Sequence, residues 1–344
     1  ATSRWHRVAP RPPHRRDDMS TRGEGGALAA IRAAEDTRVE PIPRPLPVEV
    51  VVLWVLLAVV AIEILTTYSR VPAAELYYVT GSGIDLAIRQ ALLFVGFPAG
   101  LVAVLLAAVS ADRSSPRMAL LLTAGIAIAA ITALAGTGVD EVDADVRAIS
   151  ILAVAGVGIA AALGVATAAR GGLAPLRRLP GDRLRLVAAL ALALLAIPWM
   201  LADLGFAVDQ IPGLNRVFIS EAIRPDPGRP LPFSAVHDGH HHGMDGVLIA
   251  WSALLGSRLL AGLGSARLRG ALGPYVALLL VFGTANAAQD SWTEQVVKRG
   301  LVSYELPRFT AVSVDVKWLL LLVITIGVHR AALRPGGLLA RGPA

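Results

Sequence analysis

The run from Val48 to Tyr68, VEVVVLWVLLAVVAIEILTTY, carries only two charged residues, Glu49 and Glu63. An apolar stretch of about 18 residues or more is long enough to cross a hydrocarbon core as a helix. A lipid-exposed backbone must also satisfy its own hydrogen bonds, which leaves the helix as the natural conformation for a run of this kind. Comparable runs recur at about 84–109, 118–135, 149–169, 186–208, 246–263, 272–288 and 316–333. The expected fold class is therefore all-α, a polytopic integral membrane bundle of about eight transmembrane helices.

Arginine sets the expected orientation. The N-terminal segment, the loops around Arg113/Arg117, Arg177–Arg185 and Arg267/Arg269, and the C-terminal tail hold the positive excess, while the intervening loops are acidic or mixed. Arginine-rich loops stay on the cytoplasmic side, so both termini are expected there and every second loop faces outward. The formal charge of +6 arises from these short loops, which excludes nucleic acid and leaves the lipid bilayer, and other membrane subunits, as the partners to consider. Lys298 and Lys317 are the only lysines; with the excess of alanine and arginine this suggests a GC-rich genome and a multi-pass protein of the bacterial plasma (inner) membrane.

Three segments follow from this reading. Residues 1–46 are polar and arginine-rich, with no signal-peptide core, and are expected to be a disordered cytoplasmic segment in which Met19 is a plausible start. Residues 47–335 form the bundle, including a long outward loop at 209–245, and 336–344 form a cytoplasmic tail. Within the bundle, Gly96 and Gly100 flank Pro98, so close helix contact and a kink are expected there. Gly156, Ala160 and Gly164 form a second small-residue ridge. Asp85 and Arg89, one turn apart, are expected to neutralise each other.

The chemistry concentrates in Val236–Gly246, VHDGHHHGMDG, which holds four of the seven histidines: His237, His240, His241 and His242. Asp238 and Asp245 lie among them, and Met244 adds a soft donor. Imidazole suits zinc, copper and iron, and carboxylate oxygen completes a borderline site. Three histidines with one carboxylate would close a tetrahedral zinc site, whereas three ligands alone would leave an open catalytic position. Gly239 and Gly243 allow either a coordinating loop or the lead of the sixth helix. Under the arginine topology Glu63, Asp203, Asp290 and Glu294 also reach the outward boundary, as candidates to orient the ligands or handle protons.

Several chemistries are excluded. Cysteine is absent, which removes disulfides, thiolate metal sites and iron–sulfur ligation. His237-x-x-His240-His241 matches the local HxxHH spacing of membrane fatty-acid desaturases and hydroxylases. Those enzymes need several such boxes on the cytoplasmic side; this chain has one, facing outward, and the family is set aside. A bis-histidine haem fails because His329 is the sole histidine inside a span. The expectation is thus an outward transition-metal site, serving a metal-dependent membrane enzyme. The alternatives are a metal-handling transporter or chaperone-like protein, or an accessory subunit of a membrane complex.

Overall fold

The structure is a computed structural model and describes residues 44–70, 83–113, 116–135, 148–203, 212, 223–224, 233–234, 241–309, 313–334 and 337–339. These are mostly helical, with helices α1 (Val48–Arg70), α2 (Gly83–Phe94), α3 (Gly96–Asp112), α4 (Pro116–Ala135), α5 (Ala148–Gly171), α6 (Asp182–Asp203), α7 (His241–Ala261), α8 (Ala266–Trp292) and α9 (Val316–Val328). The last two run on as π-helical turns, Thr293–Val297 and His329–Leu333. Strand β1 (Leu46–Pro47) pairs in parallel with β2 (Leu173–Ala174), and β3 (Ile223–Arg224) pairs antiparallel with β4 (Phe233–Ser234). Leu46, assigned to the N-terminal segment by its sequence neighbours, is buried in the packed unit.

Among the described residues, five helices are long and apolar enough to cross a membrane: Val48–Thr66, Ala153–Gly171, Gly243–Ala261, Ala266–Val297 and Val316–Leu333. A sixth span is reached if α2 and α3, bent by 44° at their junction, count as one. Helices α4 and α6 lie where the third and fifth of the eight expected spans would fall but are not among these five or six, so the described residues support five or six spans rather than eight. The side-chain distribution fits a bilayer. Val55, Val59 and Ile62 on α1, Leu190 and Leu194 on α6, and Leu319, Leu320 and Val323 on α9 are all exposed. Water would penalise apolar faces this broad, whereas acyl chains do not.

Helix α3 lies at the centre, with every residue from Pro98 to Asp112 buried. Its break from α2 falls ahead of Pro98 rather than at it. Proline lacks the N–H that would bond the carbonyl four residues back, so it ends the preceding helix and is accommodated in the first turn of the next. Tyr275 of α8 donates to the Leu101 carbonyl at 2.6 Å, and Thr167 of α5 donates to the Ser110 carbonyl at 3.4 Å. Phe97, Phe282 and Trp318 form an aromatic column joining α3, α8 and α9, with ring centroids 6.4 and 6.0 Å apart.

The tightest helix contact is between α7 and α8. A Cβ on Gly246 would lie 2.6 Å from both the Ala287 nitrogen and the Gly283 oxygen, and one on Gly283 would lie 2.5 Å from the Gly246 oxygen. Gly246-xxx-Ala250 therefore faces Gly283-xxx-Ala287, a small-residue match on each helix that lets the backbones touch. Gly96, where close approach is expected, meets among the described residues only the Val154 side chain, at 3.9 Å. The ridge on α5 is used more gently, Gly156 against Ile126 at 3.4 Å and Gly164 against Trp54 at 3.6 Å.

Candidate functional site

Among the described residues, buried charged side chains gather at two ends of the bundle. At the arginine-rich end, Glu49 in the first turn of α1 accepts from Arg258 Nε at 3.1 Å, and Arg258 also bonds Asp182 and the Arg177 carbonyl. Arg185 donates from Nε to Ser257 Oγ at 2.8 Å and from Nη1 to Asp182 and the Pro180 carbonyl, both at 3.0 Å. Asp112 closes α3 by accepting from the Gly264 and Ser265 amides at 2.7 and 3.1 Å. Burial alone would push the Asp182 carboxyl up; the Arg258 hydrogen bond, the Leu179 amide and the charges of Arg258 and Arg185 outweigh it and hold it below the usual range.

That end fixes depth along the bundle. Glu49 opens α1 and Arg258 lies near the close of α7, so the two packed helices run antiparallel. Asp245 is thirteen residues before Arg258, and Glu63 is fourteen after Glu49. At the α-helical rise these are displacements of about 20 Å in the same direction. Glu63 and Asp245 therefore share a level at the opposite, acidic end. Gly246 lies against Ala287, which brings Asp290, three residues further on, to that level too. Three helices thus deliver one carboxylate each.

Burial makes this acidic end unusual. Asp290 is 3% exposed and Glu294 1%, while Glu63 and Asp245 are half-buried. Lys298 bridges Glu294 at 2.8 Å across the π-helical turn. Gln289, near the end of α8, donates to Thr293 at 2.9 Å where that turn begins. A π turn widens the helix by one residue and is frequent at functional sites, because it re-aims side chains that a regular helix would carry past one another. Helix α2 adds Gln90, fully buried, with neither amide atom hydrogen-bonded among the described residues. Sequence patterning passed over Gln90, since a lone glutamine in an apolar run carries no period or motif.

The expected metal ligands are only partly placed. His237, Asp238 and His240 lie outside the described residues. His241 and His242 begin α7, so of the two conformations open to the cluster the helical lead holds from His241 onward, and Met244 is buried on its first turns. Asp245 belongs to this helix rather than to a loop. Its glycine neighbours are tolerated because Gly246 is where α8 approaches. Asp203 ends α6, its side chain outside the described set. Among the described residues, no three His, Asp or Glu side chains converge closely enough to hold a metal ion. Asp85 and Arg89 do form the expected pair, at 3.0 Å on an exposed face. Compared with known proteins, the chain matches no family model, no curated protein and no solved structure.

Proposed function

We propose that this is an integral membrane protein that holds a transition-metal ion, zinc, copper or iron, at the acidic end of its bundle, facing outward from a bacterial inner membrane. In this reading His237, His240, His241 and His242 with Asp238 supply the ligands. Asp245 completes the shell from the first turns of α7, and Glu63, Asp203, Asp290 and Glu294 fix imidazole tautomers or handle protons beneath it. The observation that supports it is the common level of Glu63, Asp245 and Asp290, one from each of three helices, directly below the point where the histidines enter α7. Carboxylates in a span are costly unless they meet a cation, a donor or water, and several at one depth favour a cation among them.

A site confined to one side is favoured over a through-path. Below Asp245, α7 buries Val247, Leu248, Ile249, Ala250, Ala253 and Leu254, with Ser252 as the polar exception before Ser257. An ion would find no continuous polar lining along this helix. That pattern suits a metal-dependent enzyme working at the lipid boundary, with an open coordination position, better than a transporter. The test is elemental analysis of protein purified without an affinity tag. Near-stoichiometric zinc, copper or iron, lost when His240, His241 and His242 are all replaced by alanine, is expected; unchanged metal content in that triple variant would end the proposal.

A further inference from the structure

The arginine-rich end holds an open cavity of about 350 Å³. Its walls come from the start of α1, the end of α3, the end of α7 and the segment after β2. Three guanidinium-bearing residues line it, Arg113, Arg177 and Arg258, against one carboxylate, Glu49. These arginines are not equivalent. Arg258 is already committed to Glu49, Asp182 and the Arg177 carbonyl. Arg113 is the contrasting case: its Nε is buried without a hydrogen-bond partner among the described residues, and its guanidinium lies over Gly262, whose Cβ would sit 3.2 Å from Nη2. Burial pushes its pKa down; the Asp112 charge works against that and the Arg44 charge adds to it. Arg177 is exposed at the rim and donates no hydrogen bond among the described residues.

We infer that this cavity binds a phosphate-bearing group, gripped by Arg113 and Arg177 and framed by the Arg258–Glu49 pair. Guanidinium forks match phosphate oxygens in a paired, planar geometry, and Arg113 and Arg177 each place one in the wall of the cavity. The place of the cavity indicates how such a group arrives. It sits where the candidate spans α1 and α7 begin and end, at headgroup depth, and basic pockets between membrane helices take anionic headgroups there. Val52 and Val55 of α1 and Leu186 of α6 are exposed nearby in sequence to Glu49 and Asp182, an apolar surface along which acyl chains can lie. The shared chemistry is a phosphate group that leaves its carrier net anionic, whether the carrier is a lipid or a soluble molecule. The inference concerns the end of the bundle opposite the metal proposal and stands without it.

The experiment uses the full chain in detergent, with thermal stability followed on adding phosphatidylglycerol, phosphatidylcholine or inorganic pyrophosphate. Phosphatidylglycerol should raise the melting temperature at concentrations where phosphatidylcholine does not. Arg113→Gln and Arg177→Gln should each weaken the apparent affinity about tenfold, the order expected for one lost charge-assisted hydrogen bond. Arg178→Gln, which removes the same charge from an adjacent exposed position outside the cavity, should leave it unchanged. If pyrophosphate alone reproduces the shift with the same dependence on Arg113 and Arg177, the site stands and its ligand is soluble. If Arg113→Gln fails to fold, Arg177→Gln decides, because its side chain is at the surface. Stabilisation by both probes that is untouched in Arg177→Gln, or lost equally in Arg178→Gln, overturns the inference.

Discussion

Glu49 and Arg258, 209 residues apart in the chain, meet in a buried ion pair at 3.1 Å. Their side chains are 10% and 7% exposed. The contact locks the first turn of α1 to the last turn of α7 and sets the level at which every other ionisable group on these helices lies. Asp182 shares Arg258 from the start of α6, so three helices are tied at one point.

Removing Arg258 should therefore be severe. Arg258→Ala strands the Glu49 carboxylate in a buried site, and breaking a buried pair from one side costs about 3–5 kcal/mol. Glu49→Gln with Arg258→Gln should cost clearly less than the two single changes added together, because neither leaves a lone charge. Unfolding of all three variants and the wild type in one detergent gives the cycle; strict additivity would mean that the pair does not couple.

The acid limb of stability should depend on Asp182. Its folded pKa lies below the unfolded value, which is about 3.9. The contribution is then fully present above that unfolded value and disappears as pH falls through the folded one. Asp182→Asn should be less stable than wild type at neutral pH and flatter below about pH 4. Parallel curves for the two proteins through that range would remove Asp182 from the account.

Two glycines of α8 should respond in opposite directions. Gly283→Ala drives a methyl group into the Gly246 carbonyl and the Ala250 amide, and overpacking of this kind costs about 1–3 kcal/mol. Gly270→Ala meets nothing within 4 Å and should gain about 0.5–1 kcal/mol from reduced backbone freedom. Melting temperatures of the two variants check both signs.

If the acidic end and the histidines act together, Asp290→Asn and Glu63→Gln should each weaken metal affinity by about 10–100-fold, the usual effect of losing a group that orients a ligating imidazole. Shape is kept and charge is lost in both. Metal titration in nanodiscs, with melting temperature as a folding control, reads the result; wild-type affinity in both variants would leave the loop as an independent site.

Orientation has its own check. A reporter inserted within 224–232 should read as extracytoplasmic and one within 177–181 as cytoplasmic. The reverse would move the histidine segment to the inside and remove the outward metal site, while the phosphate cavity would keep its residues and change its leaflet.

Hydropathy and charge along the chain determined what each segment is by itself. The apolar run from Val48 had to be helical because lipid offers its backbone no partner, and α5, α7, α8 and α9 follow for the same reason. The i,i+4 pair of Asp85 and Arg89 was equally legible, since both residues sit on one helix. Partnership between segments was not. Gly96 carries the same small-residue spacing as Gly246, yet Gly96 meets only the Val154 side chain at 3.9 Å among the described residues, whereas Gly246 meets a matching notch, Gly283 and Ala287, on the helix beside it. Nothing local to Glu49 points to Arg258, and Gln90 has no pattern at all. Burial and pairing depend on how each helix is rotated and how deep it sits against its neighbours, properties of two segments at once. Tertiary packing alone decided that Glu63, Asp245 and Asp290 reach one level, and that Arg113 ends beside a cavity with a donor to spare.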